Sequence, residues 1–238
     1  MNNWSELARR LSGSLNLANA PLAITFHDAP PDGVKPCGLP IPSPLADGRT
    51  GRAAAGCVFW IHGETNTFST VEQDHGNCSV GSMTHGFKTL DEVAGNDDVA
   101  ALVGSGWVTM ELVPHIPVIT KKPGAVTYGP LTETSFDPDV VFIRVNGKQL
   151  MVLSDAIPGL RIEGKPQCHI VAIAKEQREI AASVGCALSR VRTGMAATEM
   201  TCAIPAEKLG SIIEAIEKNA IADAAVSRYA SEDATRFA

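Results

Sequence analysis

The sequence contains none of the short motifs that identify common nucleotide-binding and hydrolytic sites. There is no GxGxxG dinucleotide fingerprint, no Walker A loop and no GxSxG nucleophile elbow. CxxC pairs, HExxH and close clusters of His and Cys are also missing, which excludes a zinc ribbon or a zincin-type site built from one segment. Any site must therefore be assembled from residues that are far apart in the chain.

Two further absences limit the class of protein. Acidic residues outnumber basic ones by 26 to 20, so a basic footprint for nucleic acid is not indicated. No apolar run approaches the roughly 18 residues of a membrane span, and the first 17 residues lack the basic start and apolar core of a signal peptide. These features predict a cytoplasmic protein without membrane or nucleic-acid partners. Because cytoplasmic thiols stay reduced, its six cysteines are not expected to form a disulfide framework.

What is present is an ordinary globular composition, with 45% hydrophobic and 19% charged residues. The 238 residues are enough for one domain. Apolar residues at helical spacing predict an amphipathic helix over about 3–16. In the first half we predict strands and helices in alternation, with a long Pro- and Gly-rich loop at 28–51: strands at 21–26, 65–72 and 125–131, and helical segments at 52–64, from residue 79 and within 88–106.

The same order of elements begins again after residue 138. We predict strands at 139–145, 167–174 and 199–205, and helices at 147–157 and 206–221. Cys78 and Gly86 are eight residues apart, as are Cys186 and Gly194. We therefore predict a single α+β domain over 1–238, built from two similar halves at about 18–135 and 136–222, with mixed sheets, flanking helices and a loosely held tail at 223–238.

Three cysteines stand out from the others. Cys78 lies in a polar, flexible segment, and Asn77 before it is a good helix cap, which would put Cys78 at the first helical position. Unpaired N–H groups there favour the thiolate, the form that binds metals and attacks electrophiles. Cys57 and Cys186 each follow a glycine, Gly56 and Gly185, which permits close approach of a ligand. Each of the three also has a plain interpretation as a buried small residue.

The other cysteines carry less signal. Cys168 and Cys202 alternate within predicted strands and are expected in the core, and Cys37 lies in the proline-rich loop. Near the first group, His75 has an ordinary pKa near 6.5 and suits proton transfer, although a loop histidine bonded to the backbone is an equal alternative. Arg190, one helical turn after Cys186, can favour a thiolate.

The segments that hold these three cysteines resemble a known family. "AGCVFWIHGETNTFSTVEQDHGNCSVGSMTHGF", together with "PLAITF", "FDPDVVFIRV", "GCALSRVRTG" and "IPAEKL", is similar to the uncharacterised prokaryotic family called domain of unknown function 169. The resemblance covers residues from about 10 to 220. It implies a cytoplasmic, single-domain bacterial or archaeal protein, and it supports treating Cys57, Cys78 and Cys186 as a set. It implies no activity.

Three thiolates from separate segments suit an iron–sulfur cluster. With Cys57, Cys78 and Cys186 on a [4Fe–4S] cluster, one iron would remain open to a small-molecule substrate as a Lewis acid. This predicts an enzyme of lyase, dehydratase, desulfidase or reductase type. His75 would transfer the proton, and Arg190 or Arg192 would hold an anionic substrate. Asn77 and the backbone amides of Gly76 and Gly185 would donate hydrogen bonds to the cluster sulfurs. Gly56, which has no side chain, would let the cluster approach the backbone closely.

Three other functions remain open from the sequence. A structural zinc site would use Cys57, Cys78, Cys186 and His75 and predicts no catalysis. A metal-free module would bind a small ligand between the halves, with the cysteines only packing. Thiol catalysis would use Cys78 as nucleophile and His75 as base. The substrate, a redox partner and a homo-oligomeric state are not fixed by the sequence.

Overall fold

The computed structural model describes residues 3–39, 56–76, 78–193 and 195–234. In this part of the chain there are nine α-helices: α1 (Trp4–Leu15), α2 (Gly56–Gly63), α3 (Ser79–Thr84), α4 (Leu90–Val93), α5 (Asp97–Gly104), α6 (Gly147–Ala156), α7 (His169–Ala172), α8 (Ala187–Thr193) and α9 (Leu209–Ala234). The strands there are β1 (Leu22–His27), β2 (Phe68–Thr70), β3 (Ala125–Pro130), β4 (Val140–Val145), β5 (Arg161–Glu163), β6 (Ala181–Ser183) and β7 (Met200–Pro205).

The strands form one mixed sheet in the order β2-β3-β1-β4-β7-β6-β5. Neighbouring strands are antiparallel except β5 and β6, which are parallel. Helices flank this sheet, so the predicted α+β class is confirmed. In the described part of the chain, no helix is both long enough and apolar enough to cross a bilayer.

The strand order is symmetric about the central β1–β4 pair. Moving outward, β3 and then β2 follow on one side, while β7 and then β6 follow on the other. Strand β1 therefore corresponds in position to β4, β3 to β7, and β2 to β6. Strand β5 has no counterpart and extends one edge of the sheet. Similarity of the two halves as repeats stays a prediction, because strand order does not measure how alike two backbones are.

Strand β4 shows why this sheet is apolar on both faces. Side chains alternate across a strand, so Val141 and Ile143 pack in the core formed with α1, α6 and α9. Val140 and Phe142 pack on the opposite side with α2 and α7, where the rings of Trp60 and Phe142 lie 4.3 Å apart. Both faces are covered, which explains the unbroken apolar run that predicted this strand.

The predicted helices at both ends of the chain are present. Helix α1 begins after Asn3, whose side chain accepts a hydrogen bond from the Glu6 N–H. Helix α9 runs on to Ala234, so the prediction that it ends near residue 221 was wrong. The long loop predicted at 28–51 is irregular over 28–39 apart from a bridge between Pro36 and Ser69, and its remainder lies outside the described residues.

Several predicted elements differ from the structure, and strand β6 was not predicted. The segment 167–174 is not a strand: it forms α7 and then a wider helical turn at Ile173–Gln177. A short apolar run has no periodicity that separates a buried helix from a buried strand, and here helical packing decides. Strand β5 was not predicted, because its three residues alternate around a single apolar side chain, Ile162. Strand β2 is also shorter than predicted and leads into a 3-10 turn at Glu72–His75.

Candidate functional site: a pocket lined by four cysteines

The three cysteines singled out in the sequence line one pocket. Cys57, Cys78 and Cys186 share it with a fourth cysteine, Cys168, and its empty space is about 400 Å³ including the part that opens to solvent. The other two cysteines, Cys37 and Cys202, are not among its lining residues. Four sulfur-bearing side chains from four separate segments thus meet at one place. No short sequence motif predicts this site.

Three of the four cysteines, Cys78, Cys168 and Cys186, lie at the amino end of a helix. Cys57 lies in α2, and Cys186 directly precedes α8. Cys78 and Cys168 are the capping residues before α3 and α7. Backbone N–H groups at such ends lack helical partners and carry partial positive charge, which favours a thiolate over a thiol.

The cap of α3 differs by one residue from the prediction. Cys78 itself is the capping residue, in an extended conformation, and its Sγ accepts a hydrogen bond from the Gly81 N–H at 3.4 Å. Asn77, predicted as the cap and as a cluster-binding residue, lies outside the described residues. The sulfur thus takes the place that an Asn or Ser oxygen usually fills.

The cysteines occupy matching places in the symmetric strand order. Cys57 precedes β2 and Cys78 follows it, while Cys168 precedes β6 and Cys186 follows it. β2 and β6 hold equivalent positions on the two sides of the sheet. Each half of the molecule therefore contributes one cysteine before, and one after, its middle strand.

Burial controls the protonation of the fourth cysteine. Desolvation raises the pKa of the Cys168 thiol well above its ordinary value, and negative charge on Cys78, Cys186 or Cys57 raises this pKa further. The Thr84 hydroxyl opposes that shift by hydrogen bonding. Cys168 therefore stays a neutral thiol unless a cation enters the pocket.

The remaining pocket wall is mostly apolar. It consists of Val80, Trp107, Pro166 and Leu188, with Gly81 and the polar residues Gln167 and Ser189. An apolar wall keeps water away from sulfur ligands and strengthens local electrostatics. Sulfur-bearing side chains inside such a wall have the donor chemistry of a sulfur-bound metal centre.

His75, predicted to transfer protons, is not among the residues that line the pocket. It is buried against the rings of Phe59, Phe87 and His85, and its Nε2 lies 3.0 Å from the Thr70 hydroxyl. Burial, with a smaller effect of His85, lowers the pKa of His75 well below 6.5. At neutral pH this imidazole is uncharged and packed in the interior.

Arg190 and Gly185, also predicted as site residues, shape the segment around Cys186. The Arg190 guanidinium donates to the carbonyls of Val184 and Glu199, each at 2.9 Å, and to that of Ala196. Gly185 has a φ of +109°, and a Cβ there would lie 2.6 Å from Arg190 Nη2. These contacts hold the turn between β6 and α8 and so fix the position of Cys186. The other predicted glycines are Gly56, the first residue of α2, and Gly76, which ends the turn at Glu72–His75.

The cysteines of the pocket suit a cluster better than a single metal ion. Among the described residues, no three His, Cys, Asp or Glu side chains stand so that they could hold one metal ion. The zinc set with His75 is not assembled as it stands, because His75 does not reach the pocket. Ligands of a cluster bind different irons and stand further apart than ligands of one ion. Four thiols inside an apolar wall have the donor chemistry that iron–sulfur clusters use.

Cys168 and Gln167 are the pocket residues that the sequence analysis missed. Assigning 167–174 to a strand placed Cys168 in the core. A usable signal was present: the first-half pair Cys57 and Cys78 is separated by 21 residues, and Cys168 and Cys186 by 18. Lys165-Pro166, just before, also favours the start of an element over the middle of a strand.

The fold and the pocket define a class: an α+β protein with a mixed seven-stranded sheet and an internal cluster of cysteines. The chain belongs to the family called domain of unknown function 169, described as uncharacterised ArCR, whose family model matches residues 10–215. No curated protein matches the chain, and no solved structure does.

Proposed function

We propose that this protein binds an iron–sulfur cluster in the four-cysteine pocket and uses it in a reaction of a small molecule. The observation that carries the proposal is the meeting of Cys57, Cys78, Cys168 and Cys186 at one pocket from four segments of the chain. Buried free cysteines are common one at a time. Four that meet at one pocket are better explained by a ligand that several of them hold as thiolates.

We further propose that Cys57, Cys78 and Cys186 are the ligands of a [4Fe–4S] cluster. Cys168 is left out of this set, because burial, together with negative charge on Cys78, Cys186 or Cys57, raises the pKa of its thiol well above the ordinary value. When bound, such a cluster supplies an iron with an open position and Lewis acidity, as in lyases, dehydratases, desulfidases and certain reductases. The chain itself supplies the apolar wall, the ordered turn at Cys186 and the thiol of Cys168 in the same pocket.

Variants of single cysteines test the ligand set. After anaerobic reconstitution with iron and sulfide, the wild-type protein should be brown and contain iron and sulfide in equal amounts. Cys57→Ser, Cys78→Ser and Cys186→Ser should each lose most of the bound iron, whereas Cys168→Ala should retain it. Cys37→Ser is the matched control, since Cys37 is half-buried like Cys57 and Cys78 but lies outside the pocket. Circular dichroism of each variant reports whether it is folded.

The possible results separate the alternatives. Iron loss in Cys168→Ala as well would show four ligands, which overturns the open iron but not the cluster. One zinc per chain without sulfide would replace the cluster by a structural zinc site. A colourless, metal-free protein would leave a small-ligand module. A cytoplasmic location belongs to the same proposal, because ligand thiols must stay reduced.

A further inference from the structure

Helix α9 has an apolar face that points into solvent along its second half. The buried side chains of this helix, Leu209, Ile213 and Ile216, all lie in its first third. Further along, Ile221 is 75% exposed and Tyr229 is 70% exposed. Two large apolar side chains exposed on the same segment of one helix mark a contact surface, whereas scattered ones need no explanation.

The two faces of this second half have different surroundings. Ala220 and Ser227 line a groove that α9 forms with α6 and the end of α1. Ile221, Ala225 and Tyr229 follow one another at a spacing of four residues, so they form one stripe. At about 100° per residue, that stripe lies on the side of the helix away from the groove. The second half of α9 therefore has the rest of the molecule on one side and an exposed apolar stripe on the other.

The stripe is complementary to itself when two copies run in opposite directions. If the two helices meet at Ala225, each residue before Ala225 faces the residue equally far after it in the other copy. Ile221 of one copy then faces Tyr229 of the other, and Lys218 faces Glu232. A twofold axis repeats each of these contacts. The small side chain of Ala225 permits close approach of the two helices at the axis.

Charge favours this arrangement over other occupants of the stripe. In the antiparallel pair Arg228 faces Ala222, so the charges that face each other are of opposite sign. A parallel pair would put Lys218 against Lys218 and Glu232 against Glu232. A lipid surface is also disfavoured, because residues 218–234 contain two basic and three acidic side chains, whereas interfacial helices are rich in Lys and Arg.

We propose that the protein forms a dimer in which the second half of α9 packs antiparallel against the same segment of a second copy. Ile221, Ala225 and Tyr229 form the centre of the interface, and a pair of Lys218 and Glu232 lies at each end. Two helical segments of this length bury less than the roughly 1,200 Å² at which standard interfaces begin, so the dimer is weak, with a Kd of about 10 μM. This dimer does not depend on what the cysteine pocket binds.

Sedimentation equilibrium of the full chain measures the dimer, in a reducing buffer so that no disulfide joins two copies. The mass should rise from one chain to two over a concentration series centred on that Kd. Ile221→Glu should weaken the dimer at least about tenfold, because it puts a charge against Tyr229 twice in each interface. Leu112→Glu is the matched control and should leave the Kd unchanged, since Leu112 is 58% exposed but lies outside α9.

Charge reversal tests the antiparallel register. Lys218→Glu and Glu232→Lys should each weaken the dimer about fivefold, because like charges then face each other at both ends. An equimolar mixture of the two variants should associate as tightly as the wild type, and so should the double variant, because both restore opposite charges. Neither restores opposite charges within one helix, where Glu214 and Arg228 lie one turn before the two altered positions. Recovery therefore reports contact between two copies.

The results have clear consequences for the proposal. A monomer at every concentration up to about 500 μM overturns it. A dimer whose Kd is unchanged by Ile221→Glu or by the charge variants overturns it too, and so does one that the mixture of charge variants fails to restore. Circular dichroism of each variant confirms that α9 is folded, so that weak association is not confused with loss of the helix.

Discussion

At the scale of single residues, the buried histidines have a clear physical state. Burial lowers the pKa of His85 to about 4. Burial, with a smaller effect of His85, also lowers the pKa of its neighbour His75 well below 6.5. His85 Nδ1 lies 2.9 Å from the Gly81 carbonyl oxygen and must carry the proton. Both rings therefore act as neutral, aromatic packing groups on either side of α3.

This state makes stability depend on pH. Between pH 6.5 and about 4 the unfolded chain binds protons at these histidines and the folded chain does not, so the free energy of unfolding should fall as pH falls. Each histidine contributes about 1.4 kcal/mol per pH unit in this window. Urea unfolding at a series of pH values measures the slope.

Carboxylates also contribute to the pH dependence of stability, so variants are needed to measure the contribution of the histidines. His85→Gln should reduce the slope by about one proton, because glutamine can still donate to Gly81 but does not titrate. His115→Gln, at an exposed position, should leave the slope as in the wild type. An unchanged slope in His85→Gln would contradict the assignment.

At the scale of elements, the β6–α8 turn depends on one backbone conformation. Gly185 adopts a φ of +109°, which disfavours residues with a Cβ, and its missing side chain makes room for Arg190. The guanidinium then bonds the carbonyls of this turn and of the chain before β7. The turn in its folded form places Cys186 in the pocket.

Gly185→Ala should therefore destabilise the protein strongly, although it adds only one methyl group. We expect a loss of about 1–3 kcal/mol in the free energy of unfolding of the metal-free protein, from strain and displacement of Arg190. Urea unfolding is the measurement. Gly164→Ala is the matched control, since a Cβ there meets nothing within 4 Å, and a similar loss in both variants would refute the explanation.

At the scale of the whole molecule, a buried ion network joins the two halves of the chain. Arg144 on β4 binds Glu64, which follows α2, through two bonds of 2.6 and 2.8 Å, and it binds Glu199, before β7, at 2.7 Å. Their side chains are only 15%, 11% and 16% exposed. Burial raises the pKa of Glu64 while Arg144 opposes the shift, so the charge of Arg144 favours the ionised form of Glu64.

Removing the arginine should leave two carboxylates uncompensated. Arg144→Met is expected to lower the free energy of unfolding by about 3 kcal/mol, measured in urea at pH 7. Adding Glu64→Gln should recover part of the loss, because one of the two charges is then removed. Arg10→Met is the control, since the pair of Arg10 and Glu217 is about a third exposed and its loss should cost clearly less, because solvent screens such a pair. Equal losses in the two arginine variants would contradict the network's role.

Much of the fold could be predicted from local patterns. The unbroken apolar run of β4 predicts a buried strand, and the helical spacing of apolar residues predicts α1 and α9. These patterns are visible in the sequence because a buried face needs apolar residues at the period of the element. Segment 167–174 could not be assigned in this way, since its residues are buried on all sides in either form. That one error hid Cys168, the member of the pocket that sequence patterns placed in the core.

The sequence by itself determined the α+β class, the bounds of elements such as α1, β3, β4 and α6, and three of the four pocket cysteines as candidates. These depend on neighbours within a few residues. Only the tertiary structure decided that the three meet, that a fourth cysteine and Gln167 join them, and that His75 packs elsewhere. The reason is physical: the order of strands in the sheet sets which distant segments become neighbours, and no local spacing encodes that order.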